Sequence, residues 1–144
     1  MRNRYAEAFY REEHLSGREV VGIDDVDNVI DALLAGSDSE NMAELHSLQR
    51  PNLVSGFPDH EFLVGVSREY QVGVVAYMDG AGNFVSLGDS ATQGSVGYYL
   101  VGHEREFPER SEISIDLVRR AVKEFVASSG QRPTCIRWQE PDFW

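Results

Sequence analysis

FLVGV at residues 62–66, VGVVAYM at 72–78, FVSL at 84–87 and VGYYLV at 96–101 are the stretch that decides the fold. Each run is rich in β-branched and aromatic side chains, which suit a pleated, half-buried surface. They are separated by Arg68-Glu69, by Asp79-Gly80-Ala81-Gly82-Asn83 and by Gly88 to Ser95. Such connections are too short for crossover helices, so the runs read as an antiparallel meander.

Upstream, RYAEAFY at 4–10 and Glu19 to Ile23 read as extended segments, and residues 42–49 read as a strand ended by Pro51. Between them Asp24 or Asp25 caps a helix in which Val26, Val29, Ile30, Leu33 and Leu34 form one apolar stripe, with Gly36 placed for a left-handed end. Asp24, Asp27 and Asp31 fall on its wet side. Downstream, a second helix runs from Ser114 to about Ser128, its apolar face being Leu117, Val118, Ala121, Val122, Phe125 and Val126. Gly130 stops it, Pro133 prevents restart, and Thr134 to Trp138 return as a short strand. The expected class is α+β, with one mostly antiparallel sheet of about six strands and two main helices packed on it. No linker or repeat divides residues 1–144, so one domain is expected; Phe125, Leu117 and Trp138 should join the last helix and strand to its core.

A chain of 144 residues, 42% hydrophobic and 26% charged, has enough apolar material for a core and too much for a disordered state. Its densest apolar run, Val72 to Met78, falls far short of a bilayer span, and Glu7 interrupts any secretory leader. The single cysteine, Cys135, fits a reducing compartment, so a cytoplasmic location is expected. Acids outnumber bases 24 to 13, for a net charge of −11, which disfavours direct binding to nucleic acid. Residues 21–65 carry nine acids (Asp24, Asp25, Asp27, Asp31, Asp38, Glu40, Glu44, Asp59 and Glu61) against one base, Arg50. That imbalance reads either as a soluble acidic surface or as a face that attracts a basic partner.

No complete catalytic set emerges. Leu87-Gly88-Asp89-Ser90 is similar to the first block of the GDSL-type serine hydrolases, in which the serine is the nucleophile. No Asp-x-x-His follows it, however, and the block leads into a strand rather than a helix. His14, His46, His60 and His103 lack zinc-ligand spacing, and Gly80-Ala81-Gly82 lacks the remainder of a phosphate-binding loop. No metal and no cofactor are therefore expected. Cys135 reads as a small structural thiol, and Glu104, Glu106, Glu109 and Glu112, interleaved with Arg105 and Arg110, as a solvated loop.

The C-terminal third has a recognisable cadence: Tyr98-Tyr99, Gly102, Glu106-Phe107-Pro108, Ser111-Glu112-Ile113, the helix ending Ala121-Val122-Lys123-Glu124-Phe125, then Ser129-Gly130-Gln131-Arg132-Pro133 and Ile136-Arg137-Trp138. Over residues 95–140 it resembles immunity protein family one of the bacterial polymorphic toxin systems. The resemblance implies a cytoplasmic protein that binds a cognate toxin domain and occludes its active site, such toxins often being deaminases or nucleases. A toxin that handles nucleic acid carries a basic surface, which an acidic inhibitor complements. The alternatives are a binding or regulatory module with another partner, and a GDSL-like hydrolase using Ser90.

The resemblance supplies core positions, so contacts are read from exposure and charge. The expected partner-binding residues are Asp79, Asp89, Tyr98, Tyr99, Glu104 and Glu106, on the loops Asp79–Asn83 and Gly88–Ser95 and the acidic stretch after the Tyr98-Tyr99 strand. The rival surface is the first helix, with Asp24, Asp27 and Asp31.

Overall fold

In the computed structural model, which describes residues 4–89 and 94–144, the chain runs β1 (Tyr5–Phe9), β2 (Glu19–Gly22), α1 (Val26–Ala35), β3 (Met42–Ser47), β4 (His60–Ser67), β5 (Val72–Asp79), β6 (Gly82–Leu87), β7 (Val96–Leu100), β8 (His103–Phe107), β9 (Ile113–Ser114), α2 (Ile115–Ala127) and β10 (Arg137–Gln139). The main sheet is ordered β10-β6-β5-β4-β3-β1-β2, and β9 adds to the start of β5 at Val72 and Gly73. All its pairings are antiparallel.

The α+β class and the antiparallel character match the sequence reading, but the main sheet holds eight strands rather than about six. VGYYLV does not extend the meander. Its strand, β7, pairs only with β8 to make a separate two-stranded hairpin. Val101 (φ 47°) and Gly102 (φ 83°) form the turn, both left-handed as a two-residue hairpin loop requires. Glu104 and Glu106 consequently belong to a strand, where a solvated loop was expected.

The sheet is covered on both faces, which explains why β4 and β5 read as nearly continuous apolar runs. Phe62, Val64, Val66, Val75 and Tyr77 point to one side and pack with Val29, Ile30 and Leu33 of α1 and Val118, Val122 and Phe125 of α2. Leu63, Val74 and Ala76 point to the other and pack with Met42, Val85, Tyr98 and Phe107. Gly65 lets the hairpin close onto the sheet, since a Cβ there would stand 2.7 Å from the Tyr98 ring.

The helices begin and end for local reasons. Ser114 caps α2 by accepting the Leu117 N–H at 3.2 Å, and Gly130 (φ 89°) closes its end by donating to the Phe125 carbonyl at 2.9 Å. α1 departs from expectation at both ends: the Asp25 carboxylate reaches back to the Gly22 N–H at 2.9 Å, and Gly36 (φ −82°) is extended rather than left-handed. Phe125 is fully buried as expected, stacked on Phe62 with centroids 4.3 Å apart. Leu117 and Trp138 are half-buried at the rim of the core, because β10 is an edge strand three residues long and the Trp138 indole turns to the Pro133 carbonyl at 2.9 Å. No helix is long and apolar enough to cross a membrane among the described residues.

Candidate functional site

The hairpin covers only part of its face of the sheet. Where it ends, the alternation of β1, β3 and β4 brings Glu7, Glu44, His46 and Glu61 together on one side, Glu7 lying opposite His46 in the β1–β3 register. With Arg18, Phe57, Pro58, Met78 and Asp79 they line an open cleft of about 580 Å³. Arg18 spans two of the acids, with Nη1 3.4 Å from Glu44 Oε1 and Nε 4.0 Å from Glu7 Oε2.

The cleft is electrostatically crowded. Burial, then a hydrogen bond and charge from Glu44, push the Glu61 carboxyl up to about 8, while Arg105 of the hairpin opposes the shift. At neutral pH the Glu61 carboxyl therefore keeps its proton. Burial lowers the His46 pKa despite Glu44 and Glu7 beside it; its Nδ1 is buried without a hydrogen-bond partner, 3.7 Å from Glu7 Oε2.

The β3–β4 connection forms one wall of this cleft and exposes Leu48, Leu53, Val54 and Phe57. Its base is fixed. Arg50 binds Asp59 Oδ1 through Nε (2.9 Å) and the Tyr77 hydroxyl and the Gly130 carbonyl through Nη1 (2.7 Å each). Within the loop, the Leu53 N–H donates to the Phe57 carbonyl and the Gly56 N–H to the Leu53 carbonyl, both at 2.8 Å.

Asp59, His60 and Ser47 meet at that base in a superficially catalytic order. His60 Nδ1 lies 2.9 Å from Asp59 Oδ1, yet its Nε2 accepts the Ser47 backbone N–H at 2.8 Å, and Ser47 Oγ accepts the Gln49 N–H at 3.2 Å. The nitrogen a general base would use is occupied by main chain, so the trio acts as a scaffold for the loop. Burial holds the His60 pKa down, consistent with this neutral acceptor. No group of three or more His, Cys, Asp or Glu suited to a metal ion occurs among the described residues. Ser90, the serine of the hydrolase-like block, lies outside those residues.

The six residues expected at the partner interface are dispersed. Asp79 lines the cleft, and its carboxylate accepts the Ala81 N–H at 2.9 Å. Asp89 stands apart, exposed and ion-paired with Arg137. Tyr98 is 2% exposed: its ring fills the space over Gly65 and its hydroxyl donates to Glu112 at 2.6 Å, so in the free protein it is a core side chain rather than a surface contact. Tyr99, Glu104 and Glu106 share the outer face of the hairpin, where the Tyr99 hydroxyl donates to Glu104 at 3.2 Å. On the rival surface, Asp27 and Asp31 are already bound to Arg119 and Lys123 of α2 at 2.7–3.0 Å.

Glu7, Glu44, Glu61 and Phe57 were not among the expected contact residues, although Glu44 and Glu61 stand in the acid-rich segment 21–65. The available signal was the alternation in MAELHS (42–47), which places Glu44 and His46 on one strand face.

A stiff two-sided sheet, an exposed apolar loop and an adjoining acidic cleft are the makeup of a domain that binds another protein. Over residues 16–140 the chain matches the family Immunity protein Imm1, and it belongs to that family. It is also 34% identical over 88 residues to the double-stranded DNA deaminase immunity protein of Burkholderia cenocepacia (strain H111), an alignment covering 60% of this chain and 68% of that protein. The chain is thus an immunity protein, whose partner is a cognate toxin.

Proposed function

We propose that this chain acts in the cytoplasm as a non-catalytic inhibitor, neutralising its cognate toxin domain by binding it and covering its active site, and that the toxin is a deaminase acting on double-stranded DNA. The observation that carries the reading is the identity to a double-stranded DNA deaminase immunity protein within a family match spanning most of the chain. The charge supports it. An enzyme that works on a base within a duplex must hold the phosphate backbone with cationic groups and extrude the base. A protein of net charge −11 competes for that cationic surface and is itself repelled by DNA.

The test is co-expression and reconstitution with the cognate toxin domain. The expected result is restored growth, a one-to-one complex on size-exclusion chromatography with light scattering, and loss of deamination of a duplex oligonucleotide at equimolar inhibitor. A complex that leaves deamination at full rate would refute occlusion.

A further inference from the structure

Large apolar side chains scattered singly over a surface are ordinary, but a contiguous group marks a contact site. Residues 48–59 expose Leu48 (48%), Leu53 (53%), Val54 (fully) and Phe57 (70%) within one connection. That connection is braced at its base by Arg50, Asp59 and His60, so presenting it to a partner requires little further ordering.

The acids beside it identify the chemistry of what is missing. Glu44 of β3 and Glu61 of β4 face the same cleft from neighbouring strands, an arrangement in which each negative charge disfavours the other. A guanidinium brought into the cleft relieves that repulsion and offers a fork of donors suited to paired carboxylates. Phe57 forms the adjoining wall, so apolar and anionic features are continuous. On the rival surfaces, Asp27 and Asp31 are ion-paired with Arg119 and Lys123, and the Glu104 carboxylate accepts the Tyr99 hydroxyl, whereas Glu44 and Glu61 line one cleft together with Phe57.

We propose that the 51–58 loop and the carboxyl-lined cleft beside it are the surface that docks the toxin, the cleft receiving arginine side chains from the toxin's nucleic-acid-binding groove while Phe57 packs against the groove's apolar edge. The assignment rests on the inhibitor reading above and names its interface.

The test uses the same complex. Phe57→Ser should weaken binding by about 30-fold or more, as an interface anchor does, with an unchanged unfolding midpoint because the side chain is solvated in the free protein. Glu61→Gln should weaken binding by about tenfold while leaving the unfolding midpoint equal or higher, a combination that misfolding cannot produce. The triple variant Tyr99→Ala, Glu104→Gln, Glu106→Gln and the double variant Asp27→Asn, Asp31→Asn should each stay within about threefold of wild type. Hydrogen exchange of the wild-type complex, which needs no variant, should show protection concentrated in 44–61. Protection on the outer hairpin face or on α1, or full affinity in both Phe57→Ser and Glu61→Gln, overturns the surface assignment and leaves the inhibitor reading standing. Absence of any complex with the wild-type chain overturns both.

Discussion

Glu61 illustrates how one side chain links fold and function. It lies between Glu44 of β3 and Arg105 of β8, in a cleft that also holds Glu7, His46, Arg18 and Asp79. Its folded-state pKa is raised to about 8, against an unfolded carboxylate value of about 4.3. The folded chain thus holds a proton that the unfolded chain releases, so this contribution to stability is full below the unfolded value and is lost as pH rises through the folded one. Urea midpoints of the wild type should fall between about pH 5 and pH 9, and Glu61→Gln should flatten that fall; equal slopes in both proteins would refute the carboxyl pair. Asp27, Asp59 and Glu124 are shifted downward by their partners, so their contributions are lost at the acid end instead. Phe125 is the purely structural counterpart: fully buried, stacked on Phe62 and edge-on to Tyr77. Phe125→Ala should cost about 3–5 kcal/mol in denaturant unfolding, and a loss below about 2 kcal/mol would show that the ring is not the keystone between α2 and the sheet.

Among the elements, α1 and α2 are joined by charge as well as by their apolar stripes. Arg119 bridges Asp27 and Asp31, and Lys123 adds a second partner to Asp27. The acids are about half exposed, which limits each pair to roughly 0.2–1 kcal/mol. Asp27→Asn should therefore destabilise the chain by about 0.5 kcal/mol, with the difference vanishing near 1 M salt as the ions are screened; a salt-independent loss would mean that the effect is packing. Both helices and β4 to β6 were legible in the sequence because each lays a full apolar face on the core. β8 was not: in HEREF the face shared with Tyr98 carries His103, Arg105 and Phe107, so its apolar signal is a single residue, and the left-handed Val101-Gly102 turn carried the remaining information. Tyr98 and Tyr99 alternate across a strand, and the void over Gly65 decides which of them is buried. The acidic cleft was hidden for a different reason. Its residues are polar positions of β1, β3 and β4 brought together by register, and its apolar wall is an irregular loop with no period to detect.

At the scale of the whole molecule, an excess of 24 acids over 13 bases surrounds the protein with a negative field. Such a field acts on encounter before any contact forms. Of the nine acids in segment 21–65, Glu44 and Glu61 line the cleft and Asp59 braces the adjoining loop, while Asp27 and Asp31 are paired with α2. Attraction spread over the surface decays within a Debye length of about 10 Å at 0.1 M salt, whereas charges desolvated in the finished interface are screened much less. The two contributions therefore separate in the kinetics. Raising salt from about 0.02 M to about 0.5 M should slow association with the toxin domain by roughly 10–100-fold while changing dissociation by less than about threefold. Glu44→Gln with Glu61→Gln should do the reverse, raising the dissociation rate at every salt concentration because the arginine seated in the cleft loses its counter-charges. Stopped-flow association and competition-chase dissociation measure the two rates independently. If association proved insensitive to salt, the net charge would have no part in finding the toxin, and the affinity would have to come from the apolar contact made by Phe57 and its neighbours.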